Sequence, residues 1–295
     1  MQKDLFPGFE THWITTDIGD FPVRIGGQGP AVLCLHGYPQ THVMYYKLAP
    51  YLSQDYTLIL PDLRGYGVAP KPPTDEAHSP YSKKAMAKDM FQIMTALGHH
   101  QFRVVGHDRG GRVAHRLAKD YHDHVSQLTV LDIAPTLAMY ESTNMAFATA
   151  YYHWFFLIQS APLPEQMIGA DPEFYLRQKF KMWSRAQNWL SEEAFACYLE
   201  AFKQQETIHA TCEDYRAAAT VDLIHDRADF DKKLDMPVQA LWGIQGFVAR
   251  QYNVIKEWQK VANTVTGHPV SGGHFLPEEA TEETAESLLA FWEQA

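Results

Sequence analysis

The sequence predicts an α/β fold: a mostly parallel sheet flanked by helices, with a helical cap inserted into it. Three observations carry the prediction. Short apolar runs of strand length recur through the first half of the 295 residues. Helix-period segments lie between several of them, and such alternation builds a parallel sheet covered on both faces. After Pro135 the rhythm stops, and the chain up to Asp226 holds aromatics and helix formers with no clear strand.

In order, residues 9–15 and 21–25 read as strands joined by the turn Asp17-Ile18-Gly19-Asp20. Ala31–Leu35, 56–60 and 102–105 are apolar runs of buried-strand type, as are 128–131 and 238–242. Helical patterns at 83–97 and 111–121 lie among them. Met, Phe, Tyr and Trp recur through 145–158 and 174–189, and strand signals return at 237–242. The segment 137–226 therefore reads as a cap between core segments 1–136 and 227–295. Ligand clefts commonly form where two such units meet.

Composition narrows the function classes. A formal charge of −10 argues against a nucleic-acid partner. It also repels small anions, so an anionic substrate would need local cations. No apolar run is long enough to span a bilayer, and Met1-Gln2-Lys3-Asp4 lacks a signal peptide's apolar segment, so no membrane partner is expected. Three scattered cysteines (Cys34, Cys197, Cys212) fit a reducing, cytoplasmic setting better than a disulfide framework. His122-Asp123-His124 and His99-His100 offer no complete ligand set, so neither a metal nor another cofactor is expected.

Gly106-His107-Asp108-Arg109-Gly110 is the most informative stretch. It has the G-x-Nuc-x-G spacing of a nucleophile elbow, fed by a strand and followed by a helix, with Asp where Ser usually stands. A Ser elbow acylates itself, whereas a carboxylate more often displaces a leaving group from carbon and forms an alkyl ester. The alternative is an Asp helix cap paired with Arg112. Ser271-Gly272-Gly273-His274-Phe275 offers the base, and the alternative there is a surface-loop His. The order nucleophile, acid, His is that of α/β-hydrolases. The acid belongs after the sixth or the seventh strand. Asp132 follows the sixth, and Trp242-Gly243-Ile244-Gln245-Gly246 after the seventh holds no carboxylate. Asp132 would orient His274 and stabilise the imidazolium; otherwise it caps a turn. The loop His36-Gly37-Tyr38-Pro39 follows a strand. Its backbone N–H, at Tyr38, and that of Arg109 are the expected oxyanion hole, with His36 structural.

These residues resemble the α/β-hydrolase group of haloalkane dehalogenases and epoxide hydrolases, whose members usually carry Trp after the nucleophile. Here Arg109 stands in that place, and Gly106 through Arg112 closely resembles the fluoroacetate (haloacetate) dehalogenases. The resemblance covers nearly the whole chain and implies the α/β-hydrolase fold and a homodimer. It implies that Arg109 and Arg112 hold a substrate carboxylate. Tyr152-His153-Trp154 and Cys212-Glu213-Asp214-Tyr215-Arg216 resemble the family's cap motifs, which implies that His153, Trp154 and Tyr215 bind the halide. Tyr38 departs from the Phe expected in close relatives.

The chemistry of the side chains agrees. Arginines three apart on one helix share a face, and guanidinium groups bind carboxylates in bidentate fashion. A departing fluoride needs donors where charge develops, and imidazole, indole and phenol supply them. Trp154 and Tyr215 also read as ordinary cap residues. The expected function is hydrolysis of fluoroacetate or chloroacetate to glycolate and halide through an ester on Asp108. The rival is an epoxide hydrolase using Tyr215 and Tyr152 as acids, which has no use for the two arginines. A ligand-binding module without turnover is the third class.

Overall fold

The sheet at the centre has eight strands in the order β1-β2-β4-β3-β5-β6-β7-β8. The strands are β1 (Glu10–Thr16), β2 (Gly19–Gly27), β3 (Ala31–Leu35), β4 (Thr57–Pro61), β5 (Phe102–His107), β6 (Val125–Leu131), β7 (Val238–Gly243) and β8 (Val265–Val270). This is a computed structural model that describes residues 4–294. Met1, Gln2 and Lys3, on which part of the N-terminal reading rests, lie outside the described residues. β1 and β2 pair antiparallel, as do β2 and β4, and every pairing from β3 to β8 is parallel.

Seven strands lie where the sequence places them, shifted by a few residues at their ends. β8 is the exception, since the sequence reading ends its strands at 242. Thr266, Gly267, His268 and Pro269 form the middle of β8, and most of it is exposed. No apolar run marks such a strand. It tolerates Gly and Pro because it pairs only with β7, at the sheet edge.

Between β6 and β7 the described chain forms eight helices, from Thr136–Glu141 to Val221–Ala228, and no strand. Local chemistry starts several of them. Asn144 caps Met145–Ala150 by accepting from the Phe147 N–H at 3.0 Å. Asp171 caps Pro172–Trp183 in the same way, with Pro172 pre-set for the first turn. Ser191 caps Glu192–Phe202. These helices bury apolar faces that include Leu157, Phe180, Phe195 and Phe202.

In the core, all five residues of β3 are buried, as are the last five of β6. No helix among the described residues is long and apolar enough to cross a membrane. The C-terminal ends of β3, β5, β6 and β7 converge, so the loops that follow them meet at one place beneath the helical insertion.

Candidate active site

Asp108 is the single residue between β5 and the helix Arg109–Asp120. Its backbone sits at φ 46 and ψ −113, a conformation that costs about 1–3 kcal/mol and persists because its surroundings impose it. None of Gly106, Gly110 and Gly111 has a positive φ. They permit close approach instead: a Cβ on Gly110 would lie 2.3 Å from the His36 carbonyl oxygen, and one on Gly111 2.7 Å from Ile133 Cδ1. The helix therefore begins at Arg109, two residues before the helical pattern the sequence shows.

The Asp108 side chain makes no capping hydrogen bond. Among the described residues its carboxylate is paired with no arginine within 4.0 Å, so the cap-and-ion-pair alternative does not hold. Instead Oδ1 accepts the Tyr38 N–H at 3.0 Å. The Arg109 N–H opens the helix, where first-turn donors have no partner inside it. Burial works against the charged carboxylate, but His274, His107, Arg112 and Arg109 outweigh it and hold Asp108 below the usual carboxylate range.

His274 lies across the pocket, buried, with Nδ1 2.6 Å from Asp132 Oδ2. Asp132 immediately follows β6 with φ 51. Its Oδ1 accepts the N–H of Gly243, the last residue of β7, at 3.0 Å, so the strand end that lacks a carboxylate supplies the donor that fixes this one. Burial disfavours the imidazolium, yet the hydrogen bond and charge of Asp132 prevail and raise His274 above the ordinary histidine value. With the Nδ1 proton directed at Asp132, Nε2 is the free base. The loop is fixed on all sides. Gly273 and Phe275 donate N–H groups to Glu279 at 3.0 and 2.9 Å, and the His274 N–H reaches the Trp183 carbonyl at 3.1 Å. A cavity of about 300 Å³ opens onto Asp132 and His274 past Tyr151, Trp183 and Phe247.

The two arginines differ. Arg109 donates Nε and Nη2 to the two carboxylate oxygens of Asp214, at 2.9 and 2.7 Å. Asp214 also takes the Tyr66 hydroxyl at 2.7 Å and the Lys83 ammonium. The fork expected to grip a substrate is thus already filled, which leaves Nη1, buried and without an acceptor among the described residues. Arg112 has no acidic partner within 4.0 Å among the described residues. Its Nη1 reaches Thr136 Oγ1 at 3.0 Å and the Ala134 carbonyl at 3.3 Å, its Nη2 meets Met139 Sδ at 3.1 Å, and Nε is unpartnered. A buried guanidinium satisfied only by neutral groups is expensive unless an anion joins it.

The guanidinium of Arg112 lies 4.9 Å from the Trp154 ring and that of Arg109 4.1 Å from the Tyr215 ring. His153, Trp154 and Tyr215 are all buried. The Tyr215 ring lies 5.5 Å from His153 and 6.4 Å from Trp154. The Tyr215 hydroxyl and His153 Nδ1 are buried with no partner among the described residues. Tyr38 stacks on His153 at 6.1 Å and donates its hydroxyl to that of Tyr175 at 2.9 Å. Burial first, and then Lys179, keep His153 neutral.

Residues 30–281 match the model of the alpha/beta hydrolase fold. The chain belongs to this hydrolase family. It is 38% identical to a fluoroacetate dehalogenase of Burkholderia sp, over 99% of this chain and 96% of that one. It is 31% identical to a soluble epoxide hydrolase of Corynebacterium sp. (strain C12), over 97% and 94%. A provisionally assigned alpha/beta hydrolase from Nostoc sp PCC 7120 superposes with a TM-score of 0.96 at 49% identity, covering 97% of this chain and 99% of its own.

Several residues around the hydrolase site escaped the sequence reading. Asp214 immediately precedes Tyr215, but a carboxylate in a helix reads as solvated, and only the fold shows it facing Arg109. Tyr140 is 4.7 Å from Trp154 with a buried, unpartnered hydroxyl. Trp183 lies 4.5 Å from His153 and 5.6 Å from His274. Its place in an aromatic-rich stretch gave no hint of this. His36, read as structural, accepts the Leu63 N–H on its Nε2 at 2.9 Å.

Proposed function

We propose that this hydrolase removes halide from haloacetates, giving glycolate. The observation that carries the reading is Arg112, a buried cation beside the elbow with no acidic partner within 4.0 Å among the described residues. Together with Arg109 Nη1, which has no acceptor among the described residues, it offers donors to a small carboxylate. Held there, the substrate presents its α-carbon to Asp108 and its halogen to His153, Trp154 and Tyr215. Tyr38 fixes Oδ1, so Oδ2 attacks. The O–C bond forms as the carbon–halogen bond breaks, and the halide leaves with the bonding pair. His274 then takes a proton from water, and the hydroxide adds to the Asp108 carboxyl carbon. Tyr38 and Arg109 N–H groups stabilise the oxyanion on Oδ1. Collapse breaks the ester bond between Oδ2 and the carboxyl carbon, the departing alkoxide takes the proton held by His274 and leaves as glycolate, and the Asp108 carboxyl gives its remaining proton to solvent.

The epoxide reading needs two phenols at the substrate. Tyr215 is available, but Tyr152 is 39% exposed and its ring lies against Lys179 Nζ at 3.7 Å. The deciding assay sets chloroacetate and fluoroacetate beside styrene oxide. Halide and glycolate in equal amounts support the proposal. Diol without any halide release overturns it.

The raised His274 value sets the pH dependence. Water is activated only by neutral imidazole, so ester hydrolysis should rise with pH and reach half its maximum above the ordinary value of about 6.5. Asp108 stays ionised far below that, so the first halide burst should persist in acid, where turnover fails. Stopped-flow halide detection across the acid range checks this.

We also propose a homodimer in the cytoplasm. Leu163, Met167, Phe174 and Met182 expose apolar surface on two successive helices of the insertion, with Met167 and Phe174 each 62% exposed. The cysteines are free thiols. Sedimentation should give twice the chain mass, and Met167→Asp with Phe174→Asp should give the monomer.

A further inference from the structure

Lys179 is fully buried, and among the described residues its ammonium has no hydrogen-bond acceptor. It projects from the helix Pro172–Trp183 into a cage of rings. Nζ lies 3.7 Å from the centroid of Tyr152, 5.1 Å from Tyr175 and 5.3 Å from Trp183. Cation–π contacts return only part of the hydration that a buried ammonium loses. Met would fill the same space without that loss, so packing does not account for the charge.

Each ring of the cage leads into the site. Tyr152 precedes His153 in the chain. Trp183 lies 4.5 Å from the His153 ring, and Tyr175 is bonded to Tyr38, which stacks on His153. The charge thus stands one ring behind His153, a residue of the proposed halide site. In the proposed displacement, negative charge leaves the Asp108 carboxylate and gathers on the halogen at that site. A fixed cation there favours the transition state over the ground state, and a dry interior lets it act without contact.

We infer that Lys179 is a positioning residue for the departing halide: it stabilises the charge that develops there through the His153 and Trp183 rings, without touching substrate. The inference rests on the dehalogenase reading. Burial lowers the lysine value to about 7, so the test belongs at about pH 6, where the ammonium is charged. It compares Lys179→Met with wild type in the single-turnover halide burst, in inhibition by acetate, and in melting temperature. The expected result for Lys179→Met is a burst about tenfold slower or more. Acetate, which carries no halogen, should inhibit both proteins alike, and the variant should melt no lower than wild type. Lys179→Arg should recover part of the rate. An unchanged burst in the variant overturns the inference while leaving the dehalogenase reading intact. A loss of acetate affinity as large as the loss of rate overturns it too, since that marks general damage to the pocket. Absence of halide from wild type removes the dehalogenase reading, and this inference with it.

Discussion

Replacing His274 by Asn is expected to stop turnover while leaving the first chemical step intact. The two steps use different groups. Displacement needs an ionised Asp108, the arginines and donors for the halide, and none of these contacts depends on the Nε2 base. Hydrolysis of the ester needs a base for water, and His274, held by Asp132 at 2.6 Å, is the group placed for it. Loss of a general base costs about two to four orders of magnitude. The variant should therefore release one equivalent of halide per active site and then fall nearly silent. Mass spectrometry should find one carboxymethyl increment on the peptide carrying Asp108. Asp108→Asn should give neither burst nor adduct. Direct displacement by water predicts no adduct in any variant, so a silent His274→Asn protein with unmodified Asp108 would refute the ester mechanism. Part of the imidazolium's charge also reaches Asp108, so the burst itself should slow somewhat in acid.

The sheet and the elbow were legible because their signals are local. Buried parallel strands favour apolar runs: β3 shows one without a break, and those in β5 and β7 are interrupted by Arg103 and Gln239. β8 was illegible because an edge strand is held by pairing rather than by burial, and Gly267 and Pro269 are tolerated there. Chain order and strand ends single out Asp108, Asp132 and His274 as candidates, and the fold brings His274 Nδ1 within 2.6 Å of Asp132 Oδ2. Asp132 was favoured by the absence of a carboxylate after the seventh strand, and in the fold Gly243 at the end of β7 donates its N–H to Asp132. The arginine environment was not legible. Whether a guanidinium is taken by a carboxylate depends on residues distant in the chain, and no spacing rule links Arg109 to Asp214 or leaves Arg112 without an acidic partner among the described residues. The same holds for Lys179 and Trp183, whose partners come from separate helices.

Arg112→Met is expected to raise KM far more than it lowers stability. The asymmetry between the arginines makes the argument. Arg109 is committed to Asp214, so truncating it would strand a buried carboxylate and perturb the Lys83 ammonium as well. Arg112 strands no carboxylate within 4.0 Å among the described residues when removed, because its partners are Thr136, the Ala134 carbonyl and Met139. Methionine keeps most of the volume against Trp154. The empty protein sheds the desolvation of an unpaired cation and should unfold at the same or higher denaturant concentration. With substrate the sign reverses. Truncating one side of a buried charge pair costs about 2–5 kcal/mol, or roughly thirtyfold to several thousandfold in kcat/KM for chloroacetate. Chloroacetamide keeps the halogen and lacks the charge, so its turnover should change little. A residue that loses activity without losing stability was kept for its ligand rather than for the fold. If Arg112→Met instead unfolds readily and treats chloroacetate as wild type does, Arg112 is a structural cation and the carboxylate must be held elsewhere.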